Sequence, residues 1–69
     1  MSEKQSKATD QVREHVNRVQ DTLSEYRRDG INANGILTRP LFRAASLKAA
    51  REELSKAIAI IERTRWELK

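Results

Sequence analysis

The apolar positions of this chain form two periodic stretches separated by a connector rich in glycine and asparagine. In the first stretch, apolar residues recur at alternating steps of four and three: Val12, Val16, Val19, Leu23 and Tyr26. This near-heptad spacing predicts an amphipathic helix of coiled-coil type over about residues 10–29. The other positions are almost all charged or amide, so the stripe is narrow and packing must stabilise the helix.

The second stretch predicts one longer helix over about residues 40–67, with Pro40 at a favourable first position. Its main apolar stripe consists of Leu47, Ala50, Leu54, Ala57, Ile58, Ile61 and Leu68. Apolar residues also occupy its other sides: Leu41, Phe42, Ala45, Ala49, Ala59, Ile60 and Trp66. A helix that is apolar nearly all round is covered by more than one neighbour. The second helix is therefore expected to bind something besides the first.

The connector, about residues 30–38, contains two glycines and two asparagines, which indicate tight turns. Gly30 suits the residue that follows a helix, and Ile31, Ile36 and Leu37 are expected to fold over the open end of the hairpin. The predicted fold is all-α, an antiparallel two-helix hairpin. Residues 1–8 lack apolar periodicity and are expected to be flexible, with the hairpin occupying residues 9–69.

Size and composition favour stabilisation by association. A chain of 69 residues buries only about 60% of the surface that it exposes when unfolded, and it is marginally stable alone. Without cysteine it has neither disulfides nor thiolate metal sites, and its one histidine does not form a metal-binding pattern. We therefore expect no metal and no cofactor.

The residues indicate a protein that is not an enzyme. The chain has no glycine-rich phosphate loop, no nucleophile turn and no cysteine nucleophile. His15 and Glu14 are adjacent on a helix and therefore point apart. Two helices alone also offer no water-excluding pocket of the size that small-molecule sites need.

The net charge of +4 belongs to the second helix. Residues 1–38 carry six basic and six acidic side chains, whereas residues 39–69 carry eight basic and four acidic ones. A basic helix can be a solvated face, can meet an acidic protein surface, or can bind nucleic acid. The interspersed glutamates favour a solvated face, and nucleic acid is the least favoured of the three. No stretch is long enough to span a membrane, and the absence of cysteine fits the cytoplasm.

Two segments resemble a known family. The run Leu54-Ser55-Lys56-Ala57-Ile58-Ala59-Ile60-Ile61, with Leu68 and Lys69 closing the chain, is similar to the end of the small E-type co-chaperones of bacterial type III secretion. The segment 23–29 resembles the end of their first helix. The resemblance implies a cytosolic helical hairpin that pairs with a TPR-like chaperone. Together, the two would keep the needle subunit from polymerising before export.

These arguments assign the apolar residues to two groups. The hairpin core is expected to contain Val12, Val16, Val19, Leu23, Tyr26, Leu47, Leu54, Ile58 and Ile61. The partner-binding surface is expected to contain Phe42, Ala45, Ala49, Ala59, Ile60 and Trp66. The partner is expected to be a helical protein, either a TPR-like chaperone or a second copy in a four-helix dimer. A small basic regulator of nucleic acid is the remaining alternative.

Overall fold

The structure, a computed structural model, describes residues 3–66 and contains two helices in that range. Helix α1 spans Glu3–Asp29 and helix α2 spans Pro40–Arg63. They pack against each other in opposite directions, which confirms the predicted all-α hairpin. Helix α2 ends at Arg63, four residues before its predicted end at residue 67. Residues 1–2 and 67–69, which include Leu68 of the predicted main stripe, lie outside the described residues.

The two helices meet along a seam with heptad spacing on both sides. The seam residues of α1 are Gln5, Ala8, Val12, His15, Val19, Thr22 and Tyr26. Those of α2 are Arg43, Ser46, Ala50, Glu53, Ala57, Ile60 and, just past the helix, Thr64. Every one of them is buried or half-buried. Alternating steps of three and four on facing antiparallel helices are the pattern of a two-stranded coiled coil.

The structure confirms part of the predicted α1 core. Val19 is buried, and Val12 and Tyr26 lie in the seam half-buried. Val16 is also half-buried, but it lies beside the seam, and Leu23 is 47% exposed. The seam is rotated so that His15 and Thr22 take the places predicted for Val16 and Leu23.

The structure corrects the α2 half of the predicted core. Leu47, Leu54, Ile58 and Ile61 are between 42% and 52% exposed, whereas Ile60 is 6% exposed. The physical reason is that polar groups set the rotation of α2. Arg43 and Glu53 find their partners on α1 and the connector only when their own side of the helix faces α1. Ala50 and Ala57 share that side and let the two backbones approach closely.

Helix α1 begins seven residues earlier than predicted. Gln5 and Ala8 are buried, and the Gln5 side-chain amide donates a hydrogen bond to the Arg65 carbonyl at 3.4 Å. Thr9 lies inside the helix, and its hydroxyl donates a hydrogen bond to the Gln5 carbonyl at 2.7 Å. Residues 3–8 thus differ from the predicted flexible segment because the end of α2 gives them something to pack against.

The connector is a compact turn, as its glycines and asparagines predict. The Asn32 side-chain oxygen accepts hydrogen bonds from the backbone of Asn34 and Ile36, at 2.9 and 3.0 Å. Gly35 has a φ of 76°, which glycine adopts without strain. Ile31 and Leu37 form an antiparallel bridge. The turn then leads into Pro40, which starts α2 as predicted.

A buried arginine joins this connector to both helices. Arg43 is 5% exposed, and its guanidinium donates to the Asp29 carbonyl at 3.2 Å and to the Thr38 carbonyl at 3.3 Å. It also lies 3.7 Å from a carboxylate oxygen of Glu25. Asp29 carries the last carbonyl of α1, and the Thr38 hydroxyl also donates to it, at 2.5 Å, so Arg43 and Thr38 together satisfy this helix end.

We expect Gly30→Ala to lower the free energy of unfolding by about 1–3 kcal/mol, because a methyl group there overlaps the Tyr26 carbonyl oxygen and ring. Thermal unfolding followed by circular dichroism measures the change. The matched control is Gly35→Asn, since asparagine tolerates a positive φ and the site is open. Equal losses in the two variants would contradict this interpretation of Gly30.

Candidate interaction surface

Six aliphatic side chains lie together on one lateral side of the hairpin, next to the seam. We call this set the apolar face; its members are Val16 and Leu23 of α1 and Leu47, Leu54, Ile58 and Ile61 of α2. The α2 members follow the steps seven, four and three, which keep them on one stripe of the helix. Five of the six are between 42% and 52% exposed, and Val16 is half-buried.

The antiparallel register brings the two helices' contributions side by side. His15 lies against Glu53, and Gln5 reaches Arg65. With that register, Leu23 is level with Leu47, and Val16 is level with Leu54. Val16 and Leu23 each come one residue after a seam residue, His15 and Thr22, so both lie on the same side of α1. The apolar face is therefore a continuous surface formed by both helices.

The apolar face is more hydrophobic than the seam that folds the hairpin. On α2 the seam contains three alanine or isoleucine residues and four polar ones, whereas the apolar face contains only leucine and isoleucine. Single exposed aliphatic residues are ordinary, but an aligned group rimmed by charge marks an interaction site. The buried seam residues are small or polar apart from Val19 and Ile60, and the other leucine and isoleucine side chains of α2 are exposed.

The opposite flank of the seam is polar and ionic. His15 Nδ1 and Glu53 Oε2 lie 2.5 Å apart, with side chains 18% and 21% exposed. Arg18 and Lys56 lie 3.5 and 3.9 Å from the same carboxylate. The hydrogen bond to His15 holds the pKa of Glu53 below its ordinary value of 4.5. The charges of Lys56 and Arg18 also lower this pKa, whereas partial burial of the carboxylate raises it. This cluster holds the helices in register.

Acid should destabilise the hairpin through Glu53. Because its folded-state pKa is depressed, its contribution to stability is present above about pH 4.5 and is lost as the pH falls through the folded-state pKa. We expect Glu53→Gln to flatten the acidic limb of the melting temperature against pH, measured by circular dichroism. Glu52→Gln, at an exposed neighbouring carboxylate, is the control. An unchanged acidic limb in Glu53→Gln would contradict this role.

The structure brings together only some of the residues predicted to bind a partner. Ile60 is buried in the seam, and Ala59 lies exposed on another side of α2. The Phe42 ring is 38% exposed and lies 4.2 Å from the Arg39 guanidinium carbon. Trp66 is half-buried, and its indole N–H donates to the Ile61 carbonyl at 3.0 Å, which covers the end of α2. Ala45 and Ala49 are exposed next to Phe42 along α2.

A second apolar group lies at the connector end. Ile31 and Leu37 are 47% and 39% exposed, and Ile36 is 61% exposed. These residues bridge across the turn and do not fold down over the hairpin as expected. The buried Arg43 occupies that position and closes the open end with hydrogen bonds.

Within residues 3–66, no group of three acidic, histidine or cysteine side chains is placed to hold a metal ion. His15 is engaged by Glu53 in the seam. Neither helix, over the same residues, is long and apolar enough to cross a bilayer.

Sequence reasoning missed three residues that determine this surface: Gln5, Arg43 and Glu53. Their spacing carried the signal, because Arg43 and Glu53 continue the heptad of Ala50, Ala57 and Ile60. Apolar periodicity alone does not reveal a helix-helix seam in which several positions are polar. Comparison with protein-family models, curated proteins and solved structures finds no match to the chain, so its function is argued from its own geometry.

Proposed function

We propose that this protein is a non-enzymatic interaction module that docks another helical chain on its apolar face. The single observation that carries the proposal is the location of Leu47, Leu54, Ile58 and Ile61 outside the hairpin seam, at 42–52% exposure. Fully burying an exposed aliphatic side chain stabilises a complex by about 1.5–3 kcal/mol, so covering these half-exposed ones contributes roughly 1 kcal/mol each.

The shape of the face favours a helix as the occupant. Its α2 stripe from Leu47 to Ile61 is straight and about 21 Å long at 1.5 Å per residue. Heptad-like spacing accepts the side chains of an adjacent helix as knobs into holes. The lateral groove between α1 and α2 adds Val16 and Leu23 to the same surface. A helix lying along this groove would complete a helical bundle.

Nucleic acid is a weaker candidate for this protein. The described basic residues of α2, including Lys48, Arg51 and Lys56, lie on different sides of the helix, so they do not form one ridge along a phosphate backbone. Lys56 and Arg43 also have acidic neighbours within 4.0 Å. A purely electrostatic partner would leave the apolar face uncovered.

A second candidate role comes from the resemblance to the type III secretion co-chaperones. The run 54–61 that carries the resemblance includes three residues of the apolar face, Leu54, Ile58 and Ile61, and all three are exposed. In this candidate role, a TPR-like chaperone would cover them in the cytoplasm while the pair holds the needle subunit. That role differs from the general proposal only in the identity of the helical partner.

Site-specific photo-crosslinking in the producing cell tests the proposed function. A photoreactive amino acid at position 54, in the apolar face, is expected to give a discrete cross-linked product. The matched control is position 45, because Ala45 is exposed on α2 and lies on the opposite side of the helix from Leu47 and Leu54. Equal products from both positions, or none from position 54, would contradict a docking role. A product with a larger TPR-like protein would favour the co-chaperone role.

A further inference from the structure

We propose that the partner on the apolar face is a second copy of this chain, related by a two-fold axis near Leu54, with the two α2 helices antiparallel. This inference rests on the proposed function, since it names the occupant of the same surface. The resulting assembly is a four-helix bundle in which each hairpin contributes one lateral side.

The spacing of the stripe makes it complementary to itself. Leu47 and Ile61 lie seven residues on either side of Leu54. When a second hairpin lies antiparallel to the first, its Ile61 therefore lies opposite Leu47 of the first copy. Leu54 then packs beside Ile58 of the second copy in the middle of the interface. A two-fold interface requires this kind of self-complementary patch.

The charges along the edge of the stripe match in the same arrangement. Lys48 follows Leu47, and Glu62 follows Ile61, so both lie on the same flank of the apolar face, seven residues on either side of Ser55. In the antiparallel pair, each Lys48 lies opposite Glu62 of the second copy, and the contact occurs twice. In a parallel pair, the Lys48 and Glu62 edges of the two copies would lie on opposite sides of the interface, so these contacts would not form. Such edge charges determine the orientation of helix pairs.

The accessible surface area of the chain is large enough to include such an interface. The chain exposes 5837 Å². A compact monomer of 8.0 kDa exposes about 4,450 Å² by the size scaling of monomeric proteins, roughly 1,400 Å² less. A standard interface covers about 800 Å² on each partner. Dimerisation would therefore remove surface that a compact single chain of this mass does not expose.

Sedimentation equilibrium of the full chain over a micromolar concentration series tests the proposal, with circular dichroism to confirm helicity in every variant. The unchanged chain is expected to form a dimer. Leu54→Glu places two carboxylates near the axis and is expected to weaken the dimer about a hundredfold or more. Ala45→Glu adds the same charge to α2 on the side opposite the face and is expected to leave the dimer unchanged.

A charge exchange separates the antiparallel pair from other arrangements and does not depend on the folding of Leu54→Glu. Lys48→Glu and Glu62→Lys are each expected to weaken the dimer about three- to tenfold, and the double variant is expected to restore it. A chain that stays monomeric throughout the series, or a dimer insensitive to Leu54→Glu, would overturn the second copy as partner. Failure of the double variant to restore the dimer would overturn the antiparallel register.

The photo-crosslinked product from position 54 distinguishes this inference from the proposed function. A product with twice the mass of the chain supports the second copy. A product with a different protein overturns the second copy but agrees with a docking role. The absence of any product at position 54 contradicts the proposed function itself.

Discussion

Ile60→Ala is expected to lower the free energy of unfolding of the hairpin by about 2–5 kcal/mol. Ile60 is 6% exposed and is the largest aliphatic side chain that α2 contributes to the seam. Its neighbours there are alanine and polar residues, which have little freedom to fill the space left behind. Because a hairpin of this size is marginally stable, the loss should leave much of the chain unfolded. Urea unfolding followed by circular dichroism measures it.

Ile58→Ala is the matched control for Ile60→Ala. It is the same substitution two residues earlier on α2, at a side chain that is 52% exposed. Measured at a concentration where the chain is monomeric, it should cost far less than Ile60→Ala. Equal costs, or a larger cost at Ile58, would mean that the two faces of α2 are interchanged.

Arg43→Met is expected to cost about 1.5–3 kcal/mol of unfolding free energy, the range for hydrogen bonds to a charged group. Methionine preserves much of the aliphatic packing but leaves the carbonyls of Asp29 and Thr38 without their guanidinium donor. The ion pair with Glu25 contributes little to the loss, since that carboxylate is 47% exposed. Urea unfolding gives the total, and amide hydrogen exchange should show faster exchange in the connector.

Arg51→Met serves as the control for Arg43→Met, because Arg51 is exposed on the same helix. It should change the unfolding free energy and the connector exchange little. Equal losses of unfolding free energy in the two arginine variants would contradict this role of Arg43. They would indicate that the apolar bridge between Ile31 and Leu37 closes the connector.

The sequence was sufficient to predict the hairpin. The two helices, the connector turn and the start of α2 at Pro40 depend on local properties of the chain, and the structure agrees with each of them. The beginning of α1 was harder to predict because it depends on tertiary contact. Gln5 and Ala8 form no apolar pattern of their own and are buried by the end of α2.

The orientation of α2 was not predictable from hydrophobicity alone. Of the two sides of α2, the one with Leu47 and Leu54 is the more apolar, so hydrophobicity alone predicts that it faces the core. Glu53 and Arg43 reverse that choice, since each finds hydrogen-bonding partners only on the side facing α1. A carboxylate paired with His15 and an arginine paired with backbone carbonyls satisfy their polar groups within the seam. The largest aliphatic residues are left for a partner.

The central claim is that α2 presents Ala57 to α1 and Leu54 to a partner. The chain contains no cysteine, so a single cysteine introduced at either position reports exposure unambiguously. The measurement is the rate of thiol modification of Leu54→Cys and Ala57→Cys as the protein concentration increases. The account predicts slow modification at position 57 at every concentration. At position 54 it predicts fast modification in dilute solution that slows on concentration. Fast modification at position 57, with position 54 protected even at high dilution, would contradict it.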